Sequence, residues 1–193
     1  LQVTTLLLFP GAGSSATHPS LLAIEHAVSP MLCVRADFPY RKAGRKAPDR
    51  APVLLQAVRE EAQQLTGRLV LGGRSMGGRI CSMAVADEQQ PVAAIGLVLV
   101  SYPLHPPGKP DRLRVEHFPR LRVPCLFVSG TKDTFGSPEE LLQWTATIPG
   151  PVTHHWVQGK GHDLKGADAE IAAVVAEWVA ALGPKSGATR RRR

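Results

Sequence analysis

The chain has 193 residues, 44% of them hydrophobic and 20% charged, which fits one globular domain and argues against a disordered chain or a coiled coil. The net charge of +7 comes mostly from the last nine residues, which hold five Lys and Arg and no Asp or Glu. The rest of the chain carries a net charge of only +2, which argues against a nucleic-acid-binding domain.

Short apolar runs alternate along the sequence with segments of helical spacing. The runs predict buried strands at 6–9, 31–35, 69–72, 95–100, 125–129 and 152–157. Helices are predicted at about 54–65, 79–87, 138–147 and 168–182, with Asp49 as a cap before the first and a capping box at Ser137 before the third. This alternation predicts an α/β fold with a doubly wound, mostly parallel sheet of about six strands, helices on both faces and no large lid.

The end of the sequence differs in composition from the rest. We expect a single domain over residues 1–183 and a disordered basic tail over residues 184–193, because the tail lacks apolar side chains. The nearly neutral domain favours a solvated tail that binds nothing. The alternative is a segment that binds nucleic acid or another polyanion through clustered charge.

The three cysteines, Cys33, Cys81 and Cys125, are isolated, and each lies in an apolar segment. A disulfide framework or a zinc site is therefore not expected, and the sequence indicates no other metal and no cofactor. No apolar stretch approaches the ~20 residues that span a bilayer, and the first residues lack the positive region of a signal peptide. We expect a cytoplasmic protein without a membrane partner.

A sharp strand–turn–helix motif carries the strongest chemical signal. The sequence Gly73-Arg74-Ser75-Met76-Gly77 matches G-x-S-x-G directly after a predicted strand. In this motif the serine occupies a strained turn at the carboxyl edge of the sheet, and glycines let the strand and helix approach closely. The motif predicts that Ser75 is a nucleophile.

A nucleophilic serine needs a base and an acid that orients the base, and in this fold class they follow in the order Ser, acid, His. Asp133 follows the strand predicted at 125–129, and His162 lies in a glycine-flanked loop after the strand at 152–157. All three residues are expected at the same edge of the sheet. Asp163 and Asp168 are weaker candidates for the acid, and His154 and His155 are weaker candidates for the base because they lie within a strand.

Backbone N–H groups near the serine are expected to bind the oxyanion that forms during acyl transfer. The donors are the N–H of Met76, after the nucleophile, and the N–H of Ala12 in the loop after the first strand. Gly11 beside Ala12 is a candidate substrate contact. Arg74 is a candidate for binding an anionic substrate, with a structural ion pair as the alternative.

The segments LLLFPGAG, GGRSMGG, VSGTKD and GKGHD resemble the α/β-hydrolase superfamily in its dienelactone-hydrolase-like part. The segments SYPLH and ADFPY are similar to a branch of bacterial proteins related to NSL-complex subunit three and the testis-expressed hydrolase-like proteins. The resemblance implies Ser75 as nucleophile, Asp133 as acid, His162 as base, and Ala12 and Met76 as oxyanion donors. Pro10 departs from the usual His of the oxyanion loop, and the first two strands of the full fold are expected to be missing.

Residues 101–120 occupy the place where many hydrolases insert a helical lid. The segment is short and contains five prolines, so a surface loop is the favoured interpretation. The functional alternative is a short wall beside an open pocket, with Tyr102 and His105 near the substrate.

Together these features predict a serine hydrolase that cleaves a small, accessible carboxylic ester or thioester through an acyl-enzyme. One alternative is a non-catalytic interaction module on the same scaffold, because fold does not imply activity. A second is a nicotinamide-dinucleotide site, since residues 11–16 match G-x-G-x-x-A after a strand and Asp37 follows the next strand. Pro19 argues against the second alternative, because it would fall inside the helix that should begin in the glycine loop.

Overall fold

The structure is a computed structural model that describes residues 3–182, and its centre is one open sheet of six parallel strands. The strands are β1 (Thr4–Phe9), β2 (Leu32–Arg35), β3 (Arg68–Arg74), β4 (Gly96–Val100), β5 (Cys125–Gly130) and β6 (Val152–Val157), in the order β2-β1-β3-β4-β5-β6. The predicted doubly wound parallel sheet is thus confirmed. The basic tail predicted at 184–193 lies outside the described residues.

Six α-helices cover the two faces of the sheet. They are α1 (Pro19–Ala27), α2 (Pro39–Lys42), α3 (Ala51–Gln63), α4 (Met76–Val85), α5 (Pro138–Thr145) and α6 (Asp168–Ala181). Helices α1 and α6 pack together on one face, and α2 to α5 lie on the other. None of the helices within residues 3–182 combines the length and the apolar character needed to cross a membrane.

Side chains alternate between two cores because successive residues of a strand point to opposite faces. In β1, Leu6 and Leu8 join the core under α1 and α6, whereas Leu7 and Phe9 join the core under α2 to α5. The central strands are buried on both faces, which explains why they read as continuous apolar runs.

Several helices differ from the sequence prediction: α1 and α2 were not predicted, and α3 begins at Ala51 rather than at about residue 54. Helix α4 begins at Met76, three residues earlier than predicted, because close packing of Gly77 and Gly78 outweighs their low helix propensity. Asp49 does not cap α3: the N-cap is Arg50, and the Asp49 carboxylate pairs with Arg45. The capping box at Ser137 is confirmed at the start of α5.

The order of the strands positions the candidate site. The chain runs from β1 to β2 at one edge, then crosses to β3 on the other side of β1. The β1–β3 register pairs Phe9 with Gly73, so the loop after β1 and the turn after β3 leave the sheet side by side. Ligands of open parallel sheets bind in the crevice that such a reversal of strand order creates at the carboxyl ends.

Candidate active site

Ser75 forms the sharp turn between β3 and α4. Its backbone has φ 51° and ψ −118°, in the left-handed region that a residue with a side chain rarely adopts. Its N–H donates to the Val100 carbonyl at 2.8 Å, which holds the turn against the end of β4. The strained conformation presents Oγ at the carboxyl edge of the sheet.

Glycines on both sides of Ser75 permit this turn. A Cβ on Gly73 would lie 2.2 Å from the Phe9 carbonyl oxygen, and a Cβ on Gly77 would lie 2.3 Å from the same oxygen. Real Cβ atoms do not approach backbone oxygens so closely, so any larger residue would push the β1 loop away from the serine. The glycines therefore bring the residues that follow Phe9 against the turn.

His162 reaches Ser75 from the loop after β6. A Cβ on Gly130, at the end of β5, would lie 2.2 Å from the Lys160 carbonyl oxygen, and the same oxygen accepts the Lys132 N–H at 2.8 Å. The loops after β5 and β6 are thus packed directly on one another. His162 Nε2 lies 2.8 Å from Ser75 Oγ.

Asp133 holds the other side of the His162 ring. Its Oδ2 lies 2.8 Å from His162 Nδ1, and its side chain is only 1% exposed. The second oxygen, Oδ1, accepts the Phe135 N–H at 2.8 Å. The structure therefore joins Ser75, His162 and Asp133 in one chain of hydrogen bonds.

The weaker candidates for the acid and the base have other partners. Asp163 accepts the Lys165 N–H, and Asp168 accepts the Ser20 hydroxyl at 2.7 Å. His154 pairs with Thr145 of α5, whereas His155 pairs with Glu170 of α6. These two histidines thus point to opposite faces of the sheet, as the strand alternation predicted.

Phe135 is a site residue that the sequence reasoning missed. Its ring stacks on the His162 ring with the centroids 3.8 Å apart and the planes 23° apart. The hydrogen bonds of His162 lie in the plane of its ring, whereas Phe135 contacts the face of the ring and restricts its tilt. No sequence signal distinguished Phe135 from any other loop residue two positions after the acid.

The two predicted oxyanion donors flank Ser75. Met76 is the first residue of α4, and Ala12 lies in the loop after β1, and both line the same cleft as the serine. Neither N–H has a hydrogen-bond acceptor among residues 3–182. Free N–H groups beside a nucleophile are what an oxyanion hole requires.

Tyr40 supports the loop that contains Ala12. Its buried hydroxyl donates to the Ala12 carbonyl at 2.8 Å, and its ring stacks in a row with Phe38 and Phe9. The sequence reasoning noted this aromatic segment, ADFPY, only for its family resemblance. The sequence did not predict that Tyr40 contacts Ala12, which lies 28 residues earlier in the chain.

The serine opens into a cleft of about 600 Å³. The cleft is lined by Gly11, Ala12, Gly13, Ser14, His18, Arg74, Ser75, Met76, Arg79, Pro103, Arg114, Phe135, His162 and Asp163. Gly11 and Arg74 both line this cleft, and their contact with a substrate stays a prediction. Because residues 101–120 contribute Pro103 and Arg114, they form one wall of the cleft, which the favoured surface-loop interpretation did not expect.

Tyr102 and His105 do not line the cleft, in contrast to their predicted positions near the substrate. Tyr102 is 1% exposed and lies among Phe118 and Phe127, with its hydroxyl donated to the Arg114 carbonyl. His105 is also buried, and its ring faces Glu140 of α5. Tyr102 thus packs in the apolar core behind the wall segment, whereas His105 lies buried beside α5.

Arg74 forms no ion pair among residues 3–182, whereas its binding of an anionic substrate stays a prediction. Its Nη2 donates to the His162 carbonyl at 3.1 Å and to the Asp163 carbonyl at 2.6 Å. Burial lowers the pKa of the Arg74 guanidinium, although nearby carboxylates oppose this change. Arg74 thus holds the loop that carries His162.

His18 also lies at the cleft. It caps α1, where its Nδ1 accepts the Ser20 N–H at 3.2 Å. Partial burial, and then the charge of Arg74, lower the pKa of the His18 imidazole. Its ring therefore favours the neutral form, which can accept this capping hydrogen bond.

The geometry does not fit the dinucleotide alternative. Helix α1 begins only at Pro19, so the glycines of residues 11–13 do not lead directly into the helix that follows β1. The Asp37 carboxylate accepts the Ala16 N–H at 2.7 Å and is thus occupied by the loop itself. Residues 3–182 also hold no group of three or more His, Cys, Asp or Glu arranged to bind one metal ion.

Similar folds occur in solved structures of hydrolases. Three of them are Est1E from Butyrivibrio proteoclasticus, a dienelactone hydrolase from Anabaena variabilis and the RedJ thioesterase of the prodiginine pathway in Streptomyces coelicolor. In that order, the identities are 15%, 16% and 18%, and the TM-scores are 0.74, 0.74 and 0.65. The alignments cover 94%, 93% and 90% of this chain and 88%, 87% and 85% of the other chains.

A family model extends this likeness to the sequence. The model, described as an alpha/beta hydrolase domain, matches residues 2–181. The dienelactone-hydrolase-like resemblance agrees with the structural likeness, whereas the relation to the NSL-complex branch stays a prediction. Because the match covers nearly the whole sequence, the chain belongs to the alpha/beta hydrolase domain family.

Proposed function

We propose that this chain is a serine hydrolase that cleaves a small carboxylic ester or thioester, with Ser75 as the nucleophile. The observation that carries the proposal is the hydrogen-bonded chain from Ser75 Oγ through His162 to the buried Asp133 carboxylate. A strained serine, an imidazole and an acid in this order are the components of acyl transfer.

Each group has a defined role in the proposed reaction. His162 Nε2 takes the proton of Ser75 as Oγ attacks the carbonyl carbon, and the N–H groups of Ala12 and Met76 bind the oxyanion. His162 then protonates the leaving alcohol or thiol, which departs and leaves an acyl-enzyme. Water, deprotonated by His162, attacks the acyl carbon, and His162 returns that proton to Ser75 Oγ as the acid leaves. Asp133 keeps the Nδ1 proton in place and stabilises the imidazolium.

The shape of the cleft supports a small substrate. Its volume is about 600 Å³, and the β4–β5 connection adds only a short wall, which contains one 3₁₀ turn at Phe118–Arg120. Nothing of lid size lies between the cleft and solvent within residues 3–182. The dienelactone hydrolase and thioesterase among the similar structures support an ester or thioester as the substrate class.

Labelling with a fluorophosphonate probe tests this proposal. The wild-type chain should be labelled at Ser75, as mapped by peptide mass spectrometry, and should hydrolyse p-nitrophenyl butyrate. Ser75→Ala should lose both properties. The matched control is Ser82→Ala in the same helix, which removes a buried hydroxyl that also contacts a histidine and should keep both.

Two outcomes would contradict the proposal. Undiminished labelling and turnover by folded Ser75→Ala would exclude Ser75 as the nucleophile. A folded wild-type chain that is inert both to the probe and to a panel of esters and thioesters would instead favour the non-catalytic interaction module.

A further inference from the structure

The cleft beside Ser75 is strongly cationic. Its lining contains three arginines, Arg74, Arg79 and Arg114, and a single acidic side chain, Asp163. Arg74 is engaged with the backbone of the His162 loop, as described above. The partners of Arg79 and Arg114 remain to be described.

Arg79 and Arg114 have almost no partners among the described residues. Neither forms an ion pair with an Asp or Glu of residues 3–182, and the buried Nε of Arg79 has no hydrogen-bond partner there. The side-chain hydrogen bond of Arg114 is a long one, 3.5 Å from Nη1 to the Pro103 carbonyl. Residues 1–2 and 183–193 contain no Asp or Glu.

Three other arginines of residues 3–182, Arg35, Arg45 and Arg59, are neutralised by carboxylates. Arg35 pairs with Glu25 at 2.9 Å, and Arg59 pairs with Asp87 at 3.0 Å. In the cleft, by contrast, burial and then the charge of Arg79 lower the pKa of the Arg114 guanidinium. Two like charges in a partly dehydrated cleft are unfavourable unless an anion joins them.

Arg79 and Arg114 lie at the same cleft as the candidate nucleophile. Arg79 lies in the first turn of α4, where its N–H donates to the Ser75 carbonyl at 3.1 Å, and Arg114 projects from the opposing wall segment. An anion held by these arginines would lie in the same cleft as Ser75 Oγ. Guanidinium groups present planar forks of N–H donors that match the two oxygens of a carboxylate.

We propose that Arg79 and Arg114 form a carboxylate-binding subsite, so that the substrate is an ester or thioester that carries a second, free carboxylate. A half-thioester of a short dicarboxylic acid has this chemistry. The substrate class inferred here rests on the proposed hydrolase function. The binding of a carboxylate depends only on Arg79 and Arg114.

Matched thioesters test the subsite. Glutaryl-N-acetylcysteamine carries the free carboxylate on the acyl side, and pentanoyl-N-acetylcysteamine is its neutral counterpart. The wild-type chain should show a higher kcat/KM for the glutaryl compound. Arg79→Gln and Arg114→Gln should each lower the ratio of the two kcat/KM values by roughly tenfold or more, because each removes a charge-assisted hydrogen bond.

The control variant is Arg112→Gln, which removes the same charge from an exposed residue of the same segment, outside the lining of the cleft. It should leave the ratio within about twofold, because an exposed charge is screened by solvent. A second substrate pair, 4-acetoxybenzoate and its methyl ester, moves the carboxylate to the leaving group. Arginine-dependent preference for the anion in either pair supports the subsite and shows which side of the substrate it binds.

Failure of the subsite and failure of the hydrolase proposal give different results. If the wild type hydrolyses the neutral thioester and the arginine variants leave both ratios unchanged, the subsite is excluded while the hydrolase stands. If the wild type hydrolyses neither compound, calorimetric binding of glutarate decides. Saturable binding that Arg79→Gln and Arg114→Gln weaken, but Arg112→Gln does not, supports the subsite, and absence of binding overturns it.

Discussion

Two serine–histidine pairs in this chain have the same separation and different surroundings. Ser75 Oγ and His162 Nε2 are 2.8 Å apart at the cleft, and Ser82 Oγ and His117 Nε2 are 2.8 Å apart in the interior. The other ring nitrogen of His162 faces Asp133, whereas no Asp or Glu of residues 3–182 pairs with the His117 ring.

The direction of the proton differs between the two pairs. Ser82 Oγ donates to the Arg79 carbonyl at 2.8 Å, and since a hydroxyl has one proton, Ser82 must accept the N–H of His117. At the cleft, Asp133 attracts the Nδ1 proton, which leaves His162 Nε2 free to accept the proton of Ser75. Under the proposed function, contact between serine and histidine does not by itself make a nucleophile, because the acid determines which ring nitrogen accepts the proton.

The largest expected effect comes from replacing the two histidines in turn. His162→Gln should lower kcat/KM for p-nitrophenyl butyrate by about 10⁴-fold, because no base remains beside Ser75. His117→Gln, the matched control, should stay within roughly fivefold of the wild type, since removing a buried structural group acts mainly on stability. Steady-state kinetics on folded variants measures both, and equal losses would remove the distinction between the pairs.

Asp133→Asn removes the carboxylate beside His162, so that the Ser75–His162 pair, like the Ser82–His117 pair, has no acid on its ring. Loss of the carboxylate should lower kcat by about 10³–10⁴-fold, because the amide neither selects the productive tautomer nor stabilises the imidazolium. The control is Asp168→Asn, which changes an acid bonded to Ser20 rather than to His162. Comparable kcat values for the two variants would exclude Asp133 as the orienting acid.

The interior pair of Ser82 and His117 should make the free energy of unfolding depend on pH below neutrality. Burial, with help from Arg120 and Arg79, lowers the pKa of His117 to about 4. In the unfolded chain a histidine titrates near 6.5, so the unfolded state binds this proton first as the pH falls. Stability linked to His117 is therefore fully present above pH 6.5 and is lost as the pH falls to about 4, by about 3 kcal/mol.

Urea unfolding at pH 7 and pH 4 measures this loss. His117→Gln should lose less free energy of unfolding than the wild type between the two pH values, by about the same 3 kcal/mol. An identical pH dependence in the two chains would show that His117 is not the group that titrates.

Removal of one hydroxyl behind the oxyanion loop should have the smallest effect. Tyr40→Phe should lower kcat for p-nitrophenyl butyrate by roughly tenfold, less than loss of a direct oxyanion donor, because the Ala12 loop loses one anchor. Tyr102→Phe removes a similarly buried hydroxyl from the wall segment and should lower stability by about 1 kcal/mol without a matching loss of kcat. Equal losses of kcat in Tyr40→Phe and Tyr102→Phe would exclude a specific effect of the Tyr40 hydroxyl through the Ala12 loop.

The convergence of Ser75, Asp133 and His162 could be predicted because each follows the end of a parallel strand. Parallel strands end at one edge, so knowledge of strand order along the chain was enough to bring the three residues together. The contact between Phe135 and His162 could not be predicted in this way, since a ring two residues after the acid can turn in several directions. The same holds for Tyr40, whose hydroxyl meets a carbonyl 28 residues earlier in the chain.

The sequence by itself determined the alternation of strands and helices, the serine turn and the order of the candidate acid and base, because periodicity and glycine placement are local properties. Only the tertiary structure decided which side chains face the cleft. Arg74 is next to Ser75 in sequence but supports the His162 loop, whereas Arg79 and Arg114 line the cleft as unpaired cations among the described residues. The direction of a side chain depends on segments packed against it from elsewhere in the chain, and spacing along the sequence does not encode that packing.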